Sequence, residues 1–297
     1  MSGLGRHLRS DRTMCADTVV PSASAHRFAC SHTSSGTRTV RSGIRLSATS
    51  VDLHPRCGRH ERARDDAGPR LRDGQACGQR VVDPFAAEHD LLGLLSFDYG
   101  QRHRKELEFA AACATRLNVP HQIIDIRAIG QSLSGSALTD DVAVPDGHYA
   151  EESMRITVVP NRNAIMLTVA FGVAAMRGAD AVATAVHGGD HFIYPDCRPG
   201  FIDAFQTMER HALDGYADIA LLAPYVNVPK SAIVTDGARH GTPFAQTWSC
   251  YKGGEVHCGR CGTCVERREA FDLAGIADPT EYADADFWRE AVKRGAV

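Results

Sequence analysis

No apolar run in this 297-residue chain approaches the roughly 20 residues that a membrane-crossing helix needs. A membrane partner is therefore not expected. Met1 is not followed by a charged and then an apolar stretch, so no secretory leader is expected either. Lysine is missing from residues 1–85, which hold 14 Arg and 8 Asp/Glu. Phe28 and Phe85 are their only aromatic residues. Ser, Arg, Gly, His and Thr follow one another there with neither a helical nor a strand period. So little apolar area does not offset the entropy of ordering the backbone, and the segment reads as a disordered extension. A basic tail touching nucleic acid and an Arg- and Ser-rich organellar presequence are sharper alternatives. Asp11 and Asp17 count against the presequence. The formal net charge of −3 divides into +6 before residue 86 and −9 after it. Nothing in the acidic remainder has the footprint of a nucleic-acid surface.

Thiols are what the chain does have. Four of its ten cysteines, Cys250, Cys258, Cys261 and Cys264, follow the pattern C-x7-C-x2-C-x2-C. Each x2 step lets two sulfurs face one point. The longer loop returns the first thiol to close a tetrahedron, the geometry of structural Zn2+. Gly253, Gly254, Gly259 and Gly262 permit the tight turns this needs. His257 adjoins a cysteine and is expected to point away. Disulfides, an iron–sulfur cluster and four unrelated buried cysteines are the competing readings. No leader supports disulfides, and iron–sulfur spacings differ from this one. A filled four-thiolate site has no open position, so the metal would staple a loop and perform no chemistry. A reducing cytoplasm suits such thiols best.

Regular structure is expected from about residue 90. Leu91–Phe97 reads as a buried strand. A helix over 103–117 places Leu107, Ala110, Ala111, Ala114 and Leu117 on one face, and Asn118-Val119-Pro120 stops it. Residues 121–126 read as the next strand and 127–157 as mostly loop. A helix over 163–177, a strand over 179–186, a polar loop at 191–199 and a helix over 200–213 follow. Residues 221–226 are a fourth strand candidate. Helices are expected over 230–240 and 265–273, with the acidic tail as a loose cap. Strands alternating with helices predict an α/β fold, an open parallel sheet covered on both faces. There is no internal repeat.

In open parallel sheets, ligands bind beyond the carboxyl ends of the strands. Three such ends carry polar residues here. Asp98, Tyr99, Gln101, Arg102 and His103 follow the first. Pro160, Arg162 and Asn163 lie just before a helix N-terminus, a place suited to phosphate. His187, Gly188, Gly189, Asp190, Tyr194, Asp196 and Arg198 follow the third. Arg162 offers a guanidinium fork to phosphate or carboxylate oxygens. Asp190 and Asp196 are candidates for Mg2+ or for a purine edge. Lys230, at a helix start after Pro229, is a candidate for a phosphate, a solvated lysine being the plainer reading. Cys197 reads as a buried structural thiol rather than a nucleophile. A lone Arg or Asp in a loop is more often a surface ion pair; three clusters at equivalent strand ends weigh against that.

Ser96-Phe97-Asp98-Tyr99-Gly100-Gln101-Arg102-His103, Val159-Pro160-Asn161-Arg162-Asn163, Tyr194-Pro195-Asp196-Cys197-Arg198 and the cysteine loop closely resemble the 7-cyano-7-deazaguanine synthase family. These are queuosine-precursor enzymes of the PP-loop ATPase group. The resemblance covers about residues 86–285. It implies an adenine nucleotide alpha hydrolase-like sheet with a C-terminal helical subdomain stapled by zinc on the four cysteines. It also implies an ATP-dependent ligase that makes a nitrile from 7-carboxy-7-deazaguanine and ammonia. ATP would adenylate the carboxylate, ammonia would give the amide, and a second activation would allow dehydration. Mg2+ would accompany ATP, and a homodimer in the cytoplasm is implied. Arg162 and Asp190 are the expected catalytic groups. Asp98, Tyr99, Gln101, Arg102, His103, Asn163, Gly188, Tyr194, Asp196, Arg198 and Lys230 are the expected binding residues.

The chain departs from that family at one place. Its members open with a strand, the loop Ser-Gly-Gly-x-Asp-Ser and a helix, whose backbone N–H groups hold the pyrophosphate of ATP. Residues 1–85 contain no such loop. Ser34-Ser35-Gly36-Thr37 has one glycine, no Asp-Ser, and no apolar strand before it. Residues 1–85 are therefore expected to be disordered or mis-framed. Residues 86–228 are expected to form a PP-loop-type domain lacking its first strand, and residues 229–297 the zinc-binding subdomain. A sheet without that strand exposes backbone edges, so the chain is expected to fold poorly or to be inactive. A non-catalytic, zinc-stapled deazapurine-binding remnant is the alternative reading.

Overall fold

The computed structural model describes Ala48, Thr49, Asp83, Ala86 and residues 90–295. Strands β1 (Ala48–Thr49), β2 (Leu94–Asp98) and β3 (His121–Asp125) form one parallel sheet in that order, with Leu94 opposite both Ala48 and His121. Strands β4 (Ala181–Ala183) and β5 (Ala220–Leu222) form a second parallel pair. Helices α1 (Lys105–Leu117), α2 (Arg127–Ser132), α3 (Arg162–Arg177), α4 (Pro199–Ala212), α5 (Lys230–Arg239), α6 (Gly262–Leu273) and α7 (Phe287–Gly295) accompany them. The α/β reading holds in this form.

All five residues of β2 are buried, as expected of a strand covered on both faces. β3 is largely exposed, because among the described residues it lies at the sheet's edge. The main core gathers Leu95 and Phe97 of β2, Leu167 and Phe171 of α3, Ala181–Ala183, Phe205 of α4 and Leu221. Asn118 ends α1 in the left-handed conformation at φ 55°, its N–H satisfying the carbonyls of Ala114 and Thr115. Gly178 does the same for α3 at φ 64°.

Three expectations need correction and one is filled in. First, the sheet is not without a strand beside β2. Two residues from the opening segment, Ala48 and Thr49, pair with Leu94 and Leu95. This β1 also lies against β4 and α3, so it stands between the two strand pairs. The expected disorder of the rest of 1–85, and the residues after Thr49 where a phosphate loop would run, lie outside the described residues. Second, the region 127–157 is mostly loop as expected, and α2 and a 3-10 turn at Glu152–Thr157 fill in its two ends. Third, the C-terminal tail is no loose cap. α7 buries Trp288 and Ala291 against Val265 of α6, an i, i+3 apolar pair that makes one short amphipathic face. Fourth, the helical stretch Glu152–Arg177 does reach the length and apolarity of a membrane span. Its physical context is that of a core helix. Asn161 breaks it at φ 59°, and Leu167, Ala170, Phe171 and Ala174 are buried in the core.

The two long strand expectations shorten for a local reason. β4 and β5 pair over three residues, and Thr184 still donates its N–H to Leu222 O at 2.7 Å. Beyond that point the chain turns toward the site.

Candidate functional site

A cleft of about 260 Å³ opens beyond the carboxyl ends of β2 and β4. Tyr99, His103, Arg162, Asn163 and Asp190 line it, so residues expected from all three strand ends meet there. Glu106, Thr184, Cys197 and Tyr251 line it as well.

The turn after β2 is held by its own side chains. Tyr99 N–H donates to Gln101 Oε1 at 2.9 Å, and Gln101 Nε2 donates to Phe97 O at 2.9 Å and to Glu106 Oε1 at 3.0 Å. Gly100 N–H donates to Asp98 Oδ1 at 3.0 Å, and Asp98 Oδ2 pairs with Arg104 at 2.8 Å. Gln101 and Asp98 thus satisfy backbone groups in the turn and present Tyr99 and His103 to the cleft. His103 is buried, with Nε2 at 3.4 Å from Glu106 Oε2. Burial lowers its pKa below the ordinary value, against the upward pull of Glu106. Arg102 leaves this group: its guanidinium donates to Asp140 O at 2.7 Å and Val142 O at 3.0 Å.

Arg162 opens α3, half-buried, with its guanidinium 6.0 Å from the centre of the Tyr99 ring. Burial opposes its charge, but Tyr99, Tyr251, Cys197 and Asp196 around it hold its pKa above the ordinary arginine value. Burial pushes the Tyr99 phenol up to about 12, with Arg162 pulling the other way. Asn163 N–H donates to Asp196 Oδ2 at 2.9 Å. Asp196 is therefore committed to the first turn of α3, which leaves Asp190 as the one of the two that lines the cleft. Cys197 is buried, accepts from Asn163 Nδ2 at 3.3 Å, and has its thiol pKa pushed up by burial, which suits a structural thiol.

The remaining expected residues, Gly188, Tyr194, Arg198 and Lys230, do not line this cleft. Gly188 N–H donates to Val228 O at 2.8 Å. Tyr194 shares hydrogen bonds with Thr157 Oγ1 at 2.7 Å and Tyr251 OH at 3.3 Å. Arg198 donates from Nε to His191 O at 2.9 Å. Lys230 is ion-paired with Glu266. His187 lies 3.4 Å from Asp190 and 3.7 Å from Glu266.

The four cysteine sulfurs gather at one point, all within 4.8 Å of one another, and all four thiols are free. That excludes the disulfide reading for these residues. Cys258 Sγ and Cys264 Sγ are 3.9 Å apart; Zn–S bonds of about 2.3 Å put tetrahedral sulfurs about 3.8 Å apart. Backbone N–H groups of Cys258, Arg260 and Cys261 point at Sγ atoms over 3.3–3.4 Å, an arrangement that stabilises thiolates. The donor set therefore fits zinc. His257 is outside the cluster; its Nε2 accepts from Ser249 N–H at 3.2 Å and its ring packs 4.3 Å from Trp248. Tyr251, next to Cys250, reaches the cleft and packs 5.3 Å from His103. The cysteine loop thus supplies one wall of the site.

Sequence reasoning passed over Glu106, Tyr251 and Glu266. Glu106 sits three residues after His103 on a helix, a spacing that places two side chains on one face, so its signal was present. Tyr251 and Glu266 gave none, because only the tertiary fold turns them inward.

A family model described as "Queuosine biosynthesis protein QueC" matches residues 84–275. The 7-cyano-7-deazaguanine synthase of Rhizobium meliloti (strain 1021) is 81% identical over 208 residues, covering 70% of this chain and 88% of that protein. The protein of the same name from Sinorhizobium fredii (strain NBRC 101917 / NGR234) is 80% identical over 204 residues, 69% of this chain and 86% of its own. That of Ruegeria pomeroyi is 77% identical over 213 residues, 72% and 93%.

Proposed function

This chain belongs to the queuosine biosynthesis protein QueC family, and from that premise we propose that it is an ATP-dependent carbon–nitrogen ligase converting 7-carboxy-7-deazaguanine and ammonia to 7-cyano-7-deazaguanine. The observation that carries the reading is the convergence of Arg162, Asn163, Tyr99, His103 and Asp190 on one cleft at the strand ends. The carboxylate attacks the α-phosphorus of ATP and expels pyrophosphate. Ammonia then displaces AMP to give the amide. A second ATP then adenylates the amide oxygen with release of pyrophosphate, and the amide oxygen leaves on AMP with loss of two protons in all to give the nitrile.

Arg162 suits negative charge that builds on the transferred phosphorus, since a guanidinium fork matches phosphate oxygens. Asp190 suits Mg2+ on ATP or the donor edge of the deazapurine. Tyr99 and Tyr251, kept as neutral phenols by burial, offer apolar faces to a flat heterocycle. Zinc, when bound by Cys250, Cys258, Cys261 and Cys264, fixes the loop that brings Tyr251 to the cleft. We extend the reading to a cytoplasmic homodimer.

A second reading is favoured by one specific observation: the loop Ser-Gly-Gly-x-Asp-Ser is absent from the sequence. On that reading the chain is a zinc-stapled deazapurine-binding remnant that no longer uses ATP. Calorimetry on the full chain separates the two. Saturable binding of both 7-carboxy-7-deazaguanine and ATP supports the ligase. Binding of the deazapurine alone supports the remnant.

A further inference from the structure

Beside the cleft lies a smaller chamber of about 20 Å³, with Tyr149, Gly189, Asp190, Tyr194, Tyr251 and Glu266 among its walls. A void needs about 10–15 Å³ to admit a single water, so this one has room for one small molecule. Asp190 and Tyr251 line both spaces, so chamber and cleft share a wall.

Asp190, Glu266 and the imidazole of His187 have ligand-type atoms within 4.8 Å of one another. Such a set first suggests a divalent metal, but the hydrogen bonding opposes it. Gly189 N–H donates to His187 Nδ1 at 3.1 Å. A neutral imidazole carries one N–H, so the His187 proton sits on Nε2, which faces Asp190 Oδ2 and Glu266 Oε1. A protonated ring nitrogen has no lone pair for a metal. Charge points the same way. Lys230 is paired with Glu266, which balances one of the two carboxylates and leaves one negative charge. A monocation neutralises that charge, and a divalent ion reverses it in a buried place. Gly189 is part of the construction, since a Cβ there would stand 2.6 Å from Glu266 Oε1.

We propose that this chamber seats an ammonium ion between Asp190 and Glu266, with the phenol oxygens of Tyr194 and Tyr251 as further acceptors. The directional N–H donors of ammonium suit the two carboxylates among the residues that line the chamber. The purpose of the ion, as nitrogen donor for the neighbouring cleft, rests on the ligase reading. Its binding does not.

The test is the melting temperature of the full chain in NH4Cl, NaCl, KCl and MgCl2 at one ionic strength. The wild type should melt several degrees higher in NH4Cl than in NaCl or KCl. Glu266→Gln and Asp190→Asn, if folded by circular dichroism, should each lose that difference. Should Glu266→Gln not fold, Asp190→Asn carries the test alone. Equal melting in the three monovalent salts overturns the proposal, as does a rise in MgCl2 that both variants abolish while NH4Cl has no effect. An ammonium-specific rise without nitrile formation leaves this site standing and sinks the ligase reading. Nitrile formation with an unchanged ammonium KM in Glu266→Gln does the reverse.

Discussion

Asn163 donates its backbone N–H to Asp196 Oδ2 at 2.9 Å and its side-chain Nδ2 to Asp196 O at 3.2 Å. The helix that opens with Arg162 gains no cap from its own Asn161. A carboxylate from a distant loop does that work. Two motifs 33 residues apart in the chain are thereby fastened together at the cleft, and the place of Arg162 depends on a residue that does not line it.

Replacing that carboxylate should show both effects. Asp196→Ala should lose about 1 kcal/mol of stability, the usual worth of an N-cap. It should also lose more deazapurine affinity than Arg198→Ala, whose side chain bonds only outside the cleft. Urea denaturation and calorimetry of the two variants check this. Equal affinities in both would refute the link.

The Lys230–Glu266 pair supports a different prediction. Both side chains are largely buried, at 17% and 6% exposure. Removing one member of a buried pair strands the other's charge, at a cost of about 3–5 kcal/mol. Lys230→Met should destabilise the chain by about that amount, and Lys230→Met combined with Glu266→Gln should recover most of it. Urea midpoints of single and double variants decide the matter; no recovery in the double would mean the loss was one of packing.

For the cysteine cluster, elemental analysis should find about one zinc per chain. Chelation, or Cys261→Ser, should loosen the segment around the cysteines and alter the fluorescence of Trp248, which packs in the same cluster. Zinc binding to such sites is coupled to folding by about 10 kcal/mol or more. A full-length chain that unfolds identically with and without chelator would contradict a structural metal.

Acid sensitivity follows from His103 and His121. Burial lowers the pKa of each below the ordinary histidine value in the folded state. Between the folded value and about 6.5 the unfolded chain binds more protons, so stability rises with pH there. The contribution is full above about pH 6.5 and is lost as pH falls toward the folded values. Urea midpoints should drop between pH 7.5 and pH 5.5, and His103→Gln should flatten that drop. An unaltered pH profile in His103→Gln would count against it.

Much of the fold was legible because it rests on local pattern. The apolar run before Asp98 becomes β2, the helical period at 163–177 becomes α3, and the cysteine spacing becomes a cluster of four sulfurs. Strand ends also named the right neighbourhood. What the pattern does not carry is which polar residue faces inward. Asp98 and Gln101 go to backbone groups of their own turn, since buried N–H and C=O groups must find partners. Glu266 lies within a helix, and its inward place is set by the tertiary fold, where Lys230 of another helix meets it. β1 was not legible at all, because two residues give no period.

The most direct test of the account is product analysis by mass spectrometry. The purified 297-residue chain, zinc-loaded, is incubated with 7-carboxy-7-deazaguanine, ATP, Mg2+ and ammonium. The account predicts 7-cyano-7-deazaguanine, formed only when ATP is present and labelled when 15N-ammonium is supplied. Tight deazapurine binding with no nitrile, at any ATP concentration, would contradict it.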